Sequence, residues 1–476
     1  MKALLKNNEG IALPIVVSII AVITLLGFTA FFVVDSQTTM GAHYEKSETA
    51  LSIAEAGVNE YLWHLNRDPQ FYETEEGRKF VKDSDGNPKV HDVQNGQYTL
   101  EIEPPSDSQR VIKIKATGWL KSDKTVKAAI EVDVRKRGFL QNLYLSHIEE
   151  LSNGEKIWWT SGDELFGPLH TNGDLNIDGN PVFHDRVTYT KNKNIRSGSN
   201  PVFHDRNSPQ QADELRFPIN NSQLIDQALA NGLYLKGRTC IYLDGDKIKI
   251  RNNWKYSNNF SRYTSPVEIP ISDIKNGVIY VDDNTSATGG KWDINTGNVF
   301  ISGTLDGRLT IAAKRNIYIT GSDPTDYNNP CSPYSDGGIF YKNTNFNLSD
   351  DMLGLIANEY IYILTQYWPW DSDSYYRRVN DVAPQNITIH AAVFAINKSF
   401  GVERYDQIGL KGTIHFVGSI CQHRRGAVSM FGDRGLTRGY KKNYKHDPRM
   451  AYESPPLFLE PENAGWEIIS WKRVAP

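Results

Sequence analysis

The chain has 476 residues, a formal net charge of -4 and a sequence pI near 6.3. This balance excludes a surface that is basic throughout, so a binding site for a polyanion would have to be local. The counts of 37 Gly, 22 Pro and 24 Tyr favour short strands joined by turns, and the length favours two folded regions.

An apolar run lies near the start of the chain. Residues 11–34 contain no charged side chain, and a helix of that length, at about 1.5 Å per residue, spans a hydrocarbon core of about 30 Å. Lys2 and Lys6 precede the run, which directs the rest of the chain to the extracytoplasmic side. The sequence therefore predicts a single membrane-spanning helix that roots a large polar region.

The helical period continues beyond the apolar run. Apolar residues recur at steps of three and four, at Ala50, Ile53, Ala54, Gly57, Val58, Tyr61, Leu62 and Leu65. Asp68-Pro69 then provides a stop. One helix over residues 11–66 is predicted, and its second half offers an apolar stripe to a globular head.

Residues 1–10 form a short polar leader that ends in Gly10, directly before the apolar run. This order resembles the prepilin leader of type IV pilins and type II secretion pseudopilins. The resemblance implies that a prepilin peptidase cleaves after Gly10 and that Ile11 becomes the N-methylated amino terminus. A simple signal anchor is the alternative, because the leader lysines also satisfy the positive-inside rule.

Residues 10–15 and the run Ala50–Leu62, which contains Ala-Glu-Ala-Gly, together resemble the amino-terminal region of PilX-type minor pilins. This resemblance implies assembly with other pilins and the pilus machinery through a helix that includes Leu13, Pro14, Ile15, Ala54 and Gly57. Major pilins carry Glu at the fifth mature position, where this chain has Ile15. A carboxylate in lipid is costly unless it is paired, and its absence here favours a minor, priming or tip position.

Strand patterns follow the helix. Three alternating runs at residues 97–103, 111–120 and 126–134 predict a small, pilin-like antiparallel β head over residues 67–138. The remaining residues, 139–476, read as one exported β domain. A short helix is predicted within it at residues 218–231.

A seven-residue motif, Asn-Pro-Val-Phe-His-Asp-Arg, occurs at residues 180–186 and again at 200–206. This spacing suits one coil of a β-solenoid, in which each coil buries its apolar side only by stacking on its neighbours, and a duplicated hairpin is the alternative for two copies. Further strand-turn units occur at residues 298–304, 308–313, 316–321, 353–358, 360–365, 386–391 and 412–418. The predicted fold class is mainly β, with a right-handed parallel β-helix as the leading architecture and a β-sandwich as the alternative.

The second half of the chain also resembles a C-terminal domain found behind pilin-type leaders in Gram-positive and thermophilic bacteria. The resemblance is carried by residues 167–174, 307–313, 390–396, 418–426 and 439–449. It implies an exported, pilus-associated β domain and no particular chemistry.

Two surface sites are predicted. Trp368, Trp370, Tyr375 and Tyr376 are aromatic residues in one stretch with acidic neighbours, which suits a sugar ring or a protein partner as well as plain packing of a long loop. Lys441, Lys442 and Lys445 lie in a basic segment interleaved with tyrosines, which suits nucleic acid, although pairing with acidic groups or capping of the solenoid is the favoured interpretation.

Catalytic, metal and cofactor sites are not expected. The histidines of the repeat, together with His170, could ligate a metal, but the Pro and Phe of the motif favour a structural turn. Cys240, Cys331 and Cys421 form no metal-binding pattern, and whether two of them pair stays open. A protein that binds or displays is therefore predicted in preference to an enzyme; the alternative is a membrane-anchored, carbohydrate-binding or carbohydrate-cleaving β-helix protein.

Overall fold

The computed structural model describes residues 12–105, 111–151, 153–252, 266–326, 336–346, 348–367, 379–432 and 435–476. These residues form two compact units. Unit 1 contains the residues up to Lys136 together with 465–476, and unit 2 contains residues 137–464. The chain thus leaves unit 1 after Lys136 and returns to it at Gly465.

Unit 1 is built on one long helix, α1 (Ala12–Arg67). The long N-terminal helix predicted from the sequence is therefore confirmed. Its second half packs on a sheet, and Ala54 and Leu65 are completely buried there. The approach is close, because a Cβ atom on Gly118 of the sheet would lie 2.4 Å from the carbonyl oxygen of Ala50.

The sheet of unit 1 has five antiparallel strands in the order β1-β2-β3-β4-β33. In chain order these strands are β1 (His91–Val93), β2 (Gly96–Glu103), β3 (Val111–Leu120), β4 (Asp123–Lys136) and β33 (Trp466–Val474). A short helix, α2 (Glu75–Val81), precedes them and is capped by the Thr74 hydroxyl, which accepts from the Gly77 amide at 2.9 Å. Three of the five strands coincide with the three runs predicted from alternation.

The outermost strand of this sheet departs from the predicted domain boundaries, which assigned all of residues 139–476 to one domain. β33 pairs with β4 from Trp466 opposite Lys136 to Val474 opposite Ala129. The Arg135 guanidinium also donates to Glu467 at 3.1 Å. A pairing between residues so far apart in the chain leaves no local pattern, so alternation alone could not reveal it.

Unit 2 is mostly β, with one α-helix, α3 (Gln223–Asn231), among its described residues. Its strands, in chain order, are β5 (Tyr144–Ile148), β6 (Trp159–Thr160), β7 (Glu164–Phe166), β8 (Leu169–Thr171), β9 (Leu175–Asp178), β10 (Val182–Phe183), β11 (Val187–Tyr189), β12 (Lys193–Ile195), β13 (Val202–Phe203), β14 (Gln210–Gln211), β15 (Leu233–Lys236), β16 (Thr239–Gly245), β17 (Lys247–Asn252), β18 (Val267–Pro270), β19 (Val278–Asp282), β20 (Val299–Leu305), β21 (Arg308–Ala313), β22 (Ile317–Ile319), β23 (Gly337–Tyr341), β24 (Met352–Ala357), β25 (Ile361–Ile363), β26 (Gln366–Tyr367), β27 (Val379–Asn380), β28 (Ile387–Ala395), β29 (Phe400–Val402), β30 (Leu410–Arg424), β31 (Ser429–Gly432) and β32 (Gly435–His446).

Most strand pairs in unit 2 are parallel, and they form long ladders. One ladder runs β15-β19-β21-β24-β28-β30-β5-β8-β11-β14. A second runs β20-β23-β28-β30-β32-β7-β10-β13. In both ladders the first strands of the unit stack on its last strands, so the order in space is not the order in the chain.

One hydrophobic core contains residues from all parts of these ladders, including Phe183, Ile301 and Phe416. Asparagines link neighbouring strands at the turns: the Asn298 side-chain oxygen accepts from the Asn316 amide at 3.1 Å, and the Asn316 oxygen accepts from the Tyr360 amide at 3.0 Å. The Asn-rich turns of the sequence therefore pair the backbone groups that the strand ends leave open.

Candidate functional site

The first half of α1 presents a continuous apolar surface. Leu13 is 74% exposed and Ile15 is 51% exposed, and a shallow groove on this half is lined by Pro14, Ile15, Ser18, Ile19, Val22 and Ile23. By length and composition, α1 is the helix of the described chain that could cross a membrane. Exposed apolar area of this extent is stable only in lipid or against other apolar surfaces.

Two of the residues predicted for assembly lie on the second half of α1, where they pack against the sheet of unit 1. Ala54 is completely buried, and a Cβ atom on Gly57 would lie 2.5 Å from the Cδ2 atom of Tyr98. The Tyr98 hydroxyl in turn donates to Glu60 at 2.6 Å. Ala54 and Gly57 thus hold the helix on its sheet, and the exposed residues are Leu13, Pro14 and Ile15.

Several predicted residues lie outside the described part of the chain. These are the processing site Gly10 and Ile11, the aromatic residues Trp368, Trp370, Tyr375 and Tyr376, and Cys331. Cys240 and Cys421 are described, and both are buried free thiols.

The three lysines of the basic segment do not share one surface. Lys442 is only 18% exposed, and its ammonium group lies 2.8 Å from the Asp163 carboxylate. Burial lowers the pKa of Lys442, although Asp163 acts in the opposite direction. Lys441 and Lys445 are exposed. Because β32 alternates its side chains between two faces, the prediction that Lys442 contacts nucleic acid is corrected.

Lys442 belongs to a buried ionic cluster that consists of Glu149, Asp163, Arg425 and Lys442. The Arg425 guanidinium lies 3.1 Å from Glu149 and 3.8 Å from Asp163, and the side chains of Arg425 and Glu149 are 5% and 2% exposed. The guanidinium also lies 3.8 Å from the ring centroid of the buried Trp159. Two cations and two anions compensate one another, as buried charges must.

The ionic cluster joins the two chain segments whose strands stack out of sequence. Glu149 follows β5, whereas Arg425 follows β30, and these two strands are paired. Burial raises the pKa of the Glu149 carboxyl, although Arg425 acts in the opposite direction. A cavity of about 10 Å³ beside Arg425 and Lys442 is far too small for an organic substrate. The cluster therefore contributes to holding β5 and β30 together.

The repeated motif stacks on itself. Val182 pairs with Val202 and Phe183 with Phe203, and the rings of His184 and His204 stack at 4.7 Å. The His184 Nε2 atom lies 2.7 Å from Glu164. Over the residues described, no three His, Cys, Asp or Glu side chains converge on a common point. The two histidine rings of the repeat stack on each other because their strands are paired in register.

Acid is expected to destabilise unit 2. Burial lowers the pKa of His170 from 6.5 to about 4, with Asn172 acting in the opposite direction, and burial likewise lowers the pKa of His390 to about 4. The folded state therefore favours the neutral rings: stability is complete above pH 6.5 and falls as the pH drops towards 4. Each ring accounts for about 3 kcal/mol of unfolding free energy over this range.

Urea unfolding at pH 7, 5 and 4, followed by intrinsic fluorescence, measures this loss. Replacing His170 and His390 by Gln should reduce the pH dependence, although His423, whose pKa burial also lowers to about 4, retains part of it. His415→Gln, at an exposed position, should leave it as in the parent protein. Equal slopes for all three proteins would contradict the assignment.

Comparison with known proteins gives limited matches. The model of a domain of unknown function, DUF4900, matches residues 106–191. The crystal structure of the competence-associated pilin ComZ from Thermus thermophilus is similar over 90% of this chain and 97% of that chain, with 11% sequence identity and a TM-score of 0.30. Comparison with curated proteins gives no match.

Proposed function

We propose that the chain is a minor subunit of a type IV pilus-like filament, a PilX-like minor pilin or pseudopilin. The observation that carries this proposal is α1 itself, which is exposed and charge-free over residues 13–34 and continues without a break into a half packed on an antiparallel sheet. Such a helix is rooted in the membrane before assembly and packs among other helices afterwards. The subunit's partners are other pilins and the assembly machinery.

The N-terminal residues also support how the subunit would be processed and where in the filament it would lie. A prepilin peptidase would cleave after Gly10, and Ile11 would be methylated. Ile15 offers no carboxylate to the terminal amine of a neighbouring subunit, which supports a minor, priming or tip position at the surface of the cell.

Unit 2 would be displayed by this filament as a right-handed β-solenoid. The parallel ladders and the shared core support this architecture. Its role would be binding to a surface or partner, with Trp368, Trp370, Tyr375 and Tyr376 as the candidate glycan contacts. Catalysis is not part of the proposal, and contact with nucleic acid would be limited to Lys441 and Lys445.

Replacement of Ile19 by Asp tests the filament role. A charge on the exposed apolar half should remove the subunit from sheared filaments by at least about tenfold, because a carboxylate in an apolar environment costs about 2.5–3.5 kcal/mol. Ile19→Leu is the matched control and should be incorporated like the parent. The measurement is subunit content per filament mass, normalised to the amount in the membrane fraction.

Mass spectrometry of the amino terminus adds an independent readout. The expected product begins at a methylated Ile11 and is absent when the prepilin peptidase is deleted. An unprocessed Met1, or incorporation of Ile19→Asp at the parental level, would refute the assignment.

A further inference from the structure

We propose that the buried guanidinium of Arg251 binds an oxyanion, which is either a free inorganic ion or one acidic group of a sugar. Arg251 lies on β17 and is 8% exposed. Its Nε and Nη1 atoms are buried and make no hydrogen bond with the described residues. A buried cation is costly unless an anion compensates it. This site would be independent of the filament role.

Strand pairing places Arg251 in a row of buried side chains on one face of the sheet. Arg251 lies directly opposite Cys240 of β16 in an antiparallel pair, and opposed residues share a face. Ile250, the preceding residue, belongs to the main core on the other face. The row continues from Cys240 to Phe300 and Tyr318 on the next strands. These three residues belong to a separate buried cluster.

A second guanidinium lies beside the same row. Arg238 precedes Cys240 by two residues and is 3% exposed, and its Nη1 atom donates to the carbonyl oxygen of Trp292. Burial raises the pKa of the Cys240 thiol, whereas Arg238 and Arg251 both act in the opposite direction. Two positive charges therefore lie close to one thiol in an apolar cluster.

The acidic groups in this part of unit 2 bind other partners. Asp323, which acts electrostatically on the thiol, accepts from the amide and the hydroxyl of Thr325 at 2.7 and 2.6 Å. Glu403 lies 2.6 Å from the Lys291 ammonium. Residues 253–265, which follow β17 in the sequence, contain no Asp or Glu. Over the part of the chain that the structure describes, no carboxylate bonds to the buried nitrogens of this guanidinium.

The chemistry of the guanidinium selects the class of ligand. A neutral ligand would leave the charge uncompensated, and a cation would be repelled. A planar guanidinium binds two oxygens of one carboxylate, phosphate or sulfate group, and it is more weakly hydrated than an ammonium. Because Arg251 is reached from solvent only through its small exposed fraction, a small ion or a single acidic group fits better than a large ligand.

Alkylation of Cys240 reports on this site in the full-length protein, purified in detergent. Cys240 is a buried free thiol opposite Arg251, so N-ethylmaleimide reaches it only when this face opens. An anion that binds the closed form slows labelling about tenfold when its concentration is about ten times its Kd. Sodium sulfate should therefore slow labelling of the Cys240 peptide, measured by mass spectrometry, by about tenfold. Sodium chloride at equal ionic strength should not.

Two variants test the residue itself. Arg251→Gln should abolish the protection by sulfate. Lys249→Gln should keep it, because this lysine lies on the same strand but its ammonium is paired with Asp244 at 2.8 Å. Labelling of Cys421, a free thiol in another buried cluster, shows whether each variant keeps its fold. If Arg251→Gln alters Cys421 labelling, Arg251→Lys replaces it and should keep less than about a third of the protection, since an ammonium lacks the guanidinium fork.

Methyl glucuronide in the same assay separates the two sources of the anion. Protection by this sugar acid, with or without protection by sulfate, would identify an acidic glycan, and protection by sulfate alone would identify an inorganic ion. Labelling of Cys240 that neither anion slows would overturn the proposal. Equal slowing by chloride, equal protection in Arg251→Gln, or full protection in Arg251→Lys would overturn it as well.

Discussion

Replacing Arg425 by Met is expected to destabilise unit 2 by about 3–5 kcal/mol, the usual cost of leaving a buried charge without its partner. Arg425 is the centre of the ionic cluster, and its removal leaves the Glu149 carboxylate buried at 2% exposure without its 3.1 Å contact. Because Glu149 directly follows β5 and Arg425 directly follows β30, the damage falls on the junction between the two stacked segments. Urea unfolding should show a lower midpoint, and hydrogen exchange should be fastest near those two strands.

Two further variants separate the loss of the Arg425–Glu149 ion pair from the loss of side-chain volume. Adding Glu149→Gln to Arg425→Met should restore part of the stability, because the uncompensated charge is then gone. Arg196→Met is the surface control, since its pair with Asp178 is largely exposed and such pairs contribute about 0–1 kcal/mol. Equal losses from Arg425→Met and Arg196→Met would show that the ionic cluster does not hold the junction.

Removing residues 465–476 is expected to unfold the β head of unit 1, although the rest of that unit is encoded by the first 136 residues. The deletion removes β33, exposes the edge of β4 and takes away Trp466, which is 9% exposed in the head core. Loss of a buried Trp alone costs about 3–5 kcal/mol. An uncovered edge strand beside a damaged core also favours aggregation.

Limited proteolysis measures this effect, because cleavage sites in β3 and β4 should become accessible in the truncated protein. Removal of Ala475 and Pro476 alone is the matched control, since both lie beyond the last paired residue, Val474. A truncated head as resistant to protease as the parent would contradict the role assigned to β33. Unit 2 should keep its own protease pattern in both cases.

Local patterns in the sequence account for the elements that depend on nearby residues. The charge-free run and the steps of three and four predicted one long helix, and its predicted end at residue 66 lies one residue from the end of α1 at Arg67, because a helix buries one face at a fixed period. Alternation predicted β2, β3 and β4 for the same reason with a period of two. The short helix predicted at residues 218–231 is present as α3, which begins at Gln223, so residues 218–222 lie outside the helix.

Contacts between distant segments were beyond such patterns. Pairing of the basic segment with acidic groups was the favoured interpretation, but nothing in the sequence identified the partner of Lys442, Asp163, which lies 279 residues away. Neither Lys442 nor Asp163 lies in a local sequence pattern that predicts this contact, and the same holds for Glu149 and Arg425. The structure therefore differs more from the predicted site residues than from the predicted fold.

The sequence by itself indicated the long apolar N-terminal helix, the β-rich remainder and a motif repeated at the spacing of one coil, because each follows from the spacing of residues within one segment. Only the tertiary structure decided that β5 stacks on β30, that β33 completes the first sheet and that Lys442 is turned inwards. The physical reason is that strand order and charge pairing are selected by burial across the whole chain, where many arrangements satisfy the same local pattern.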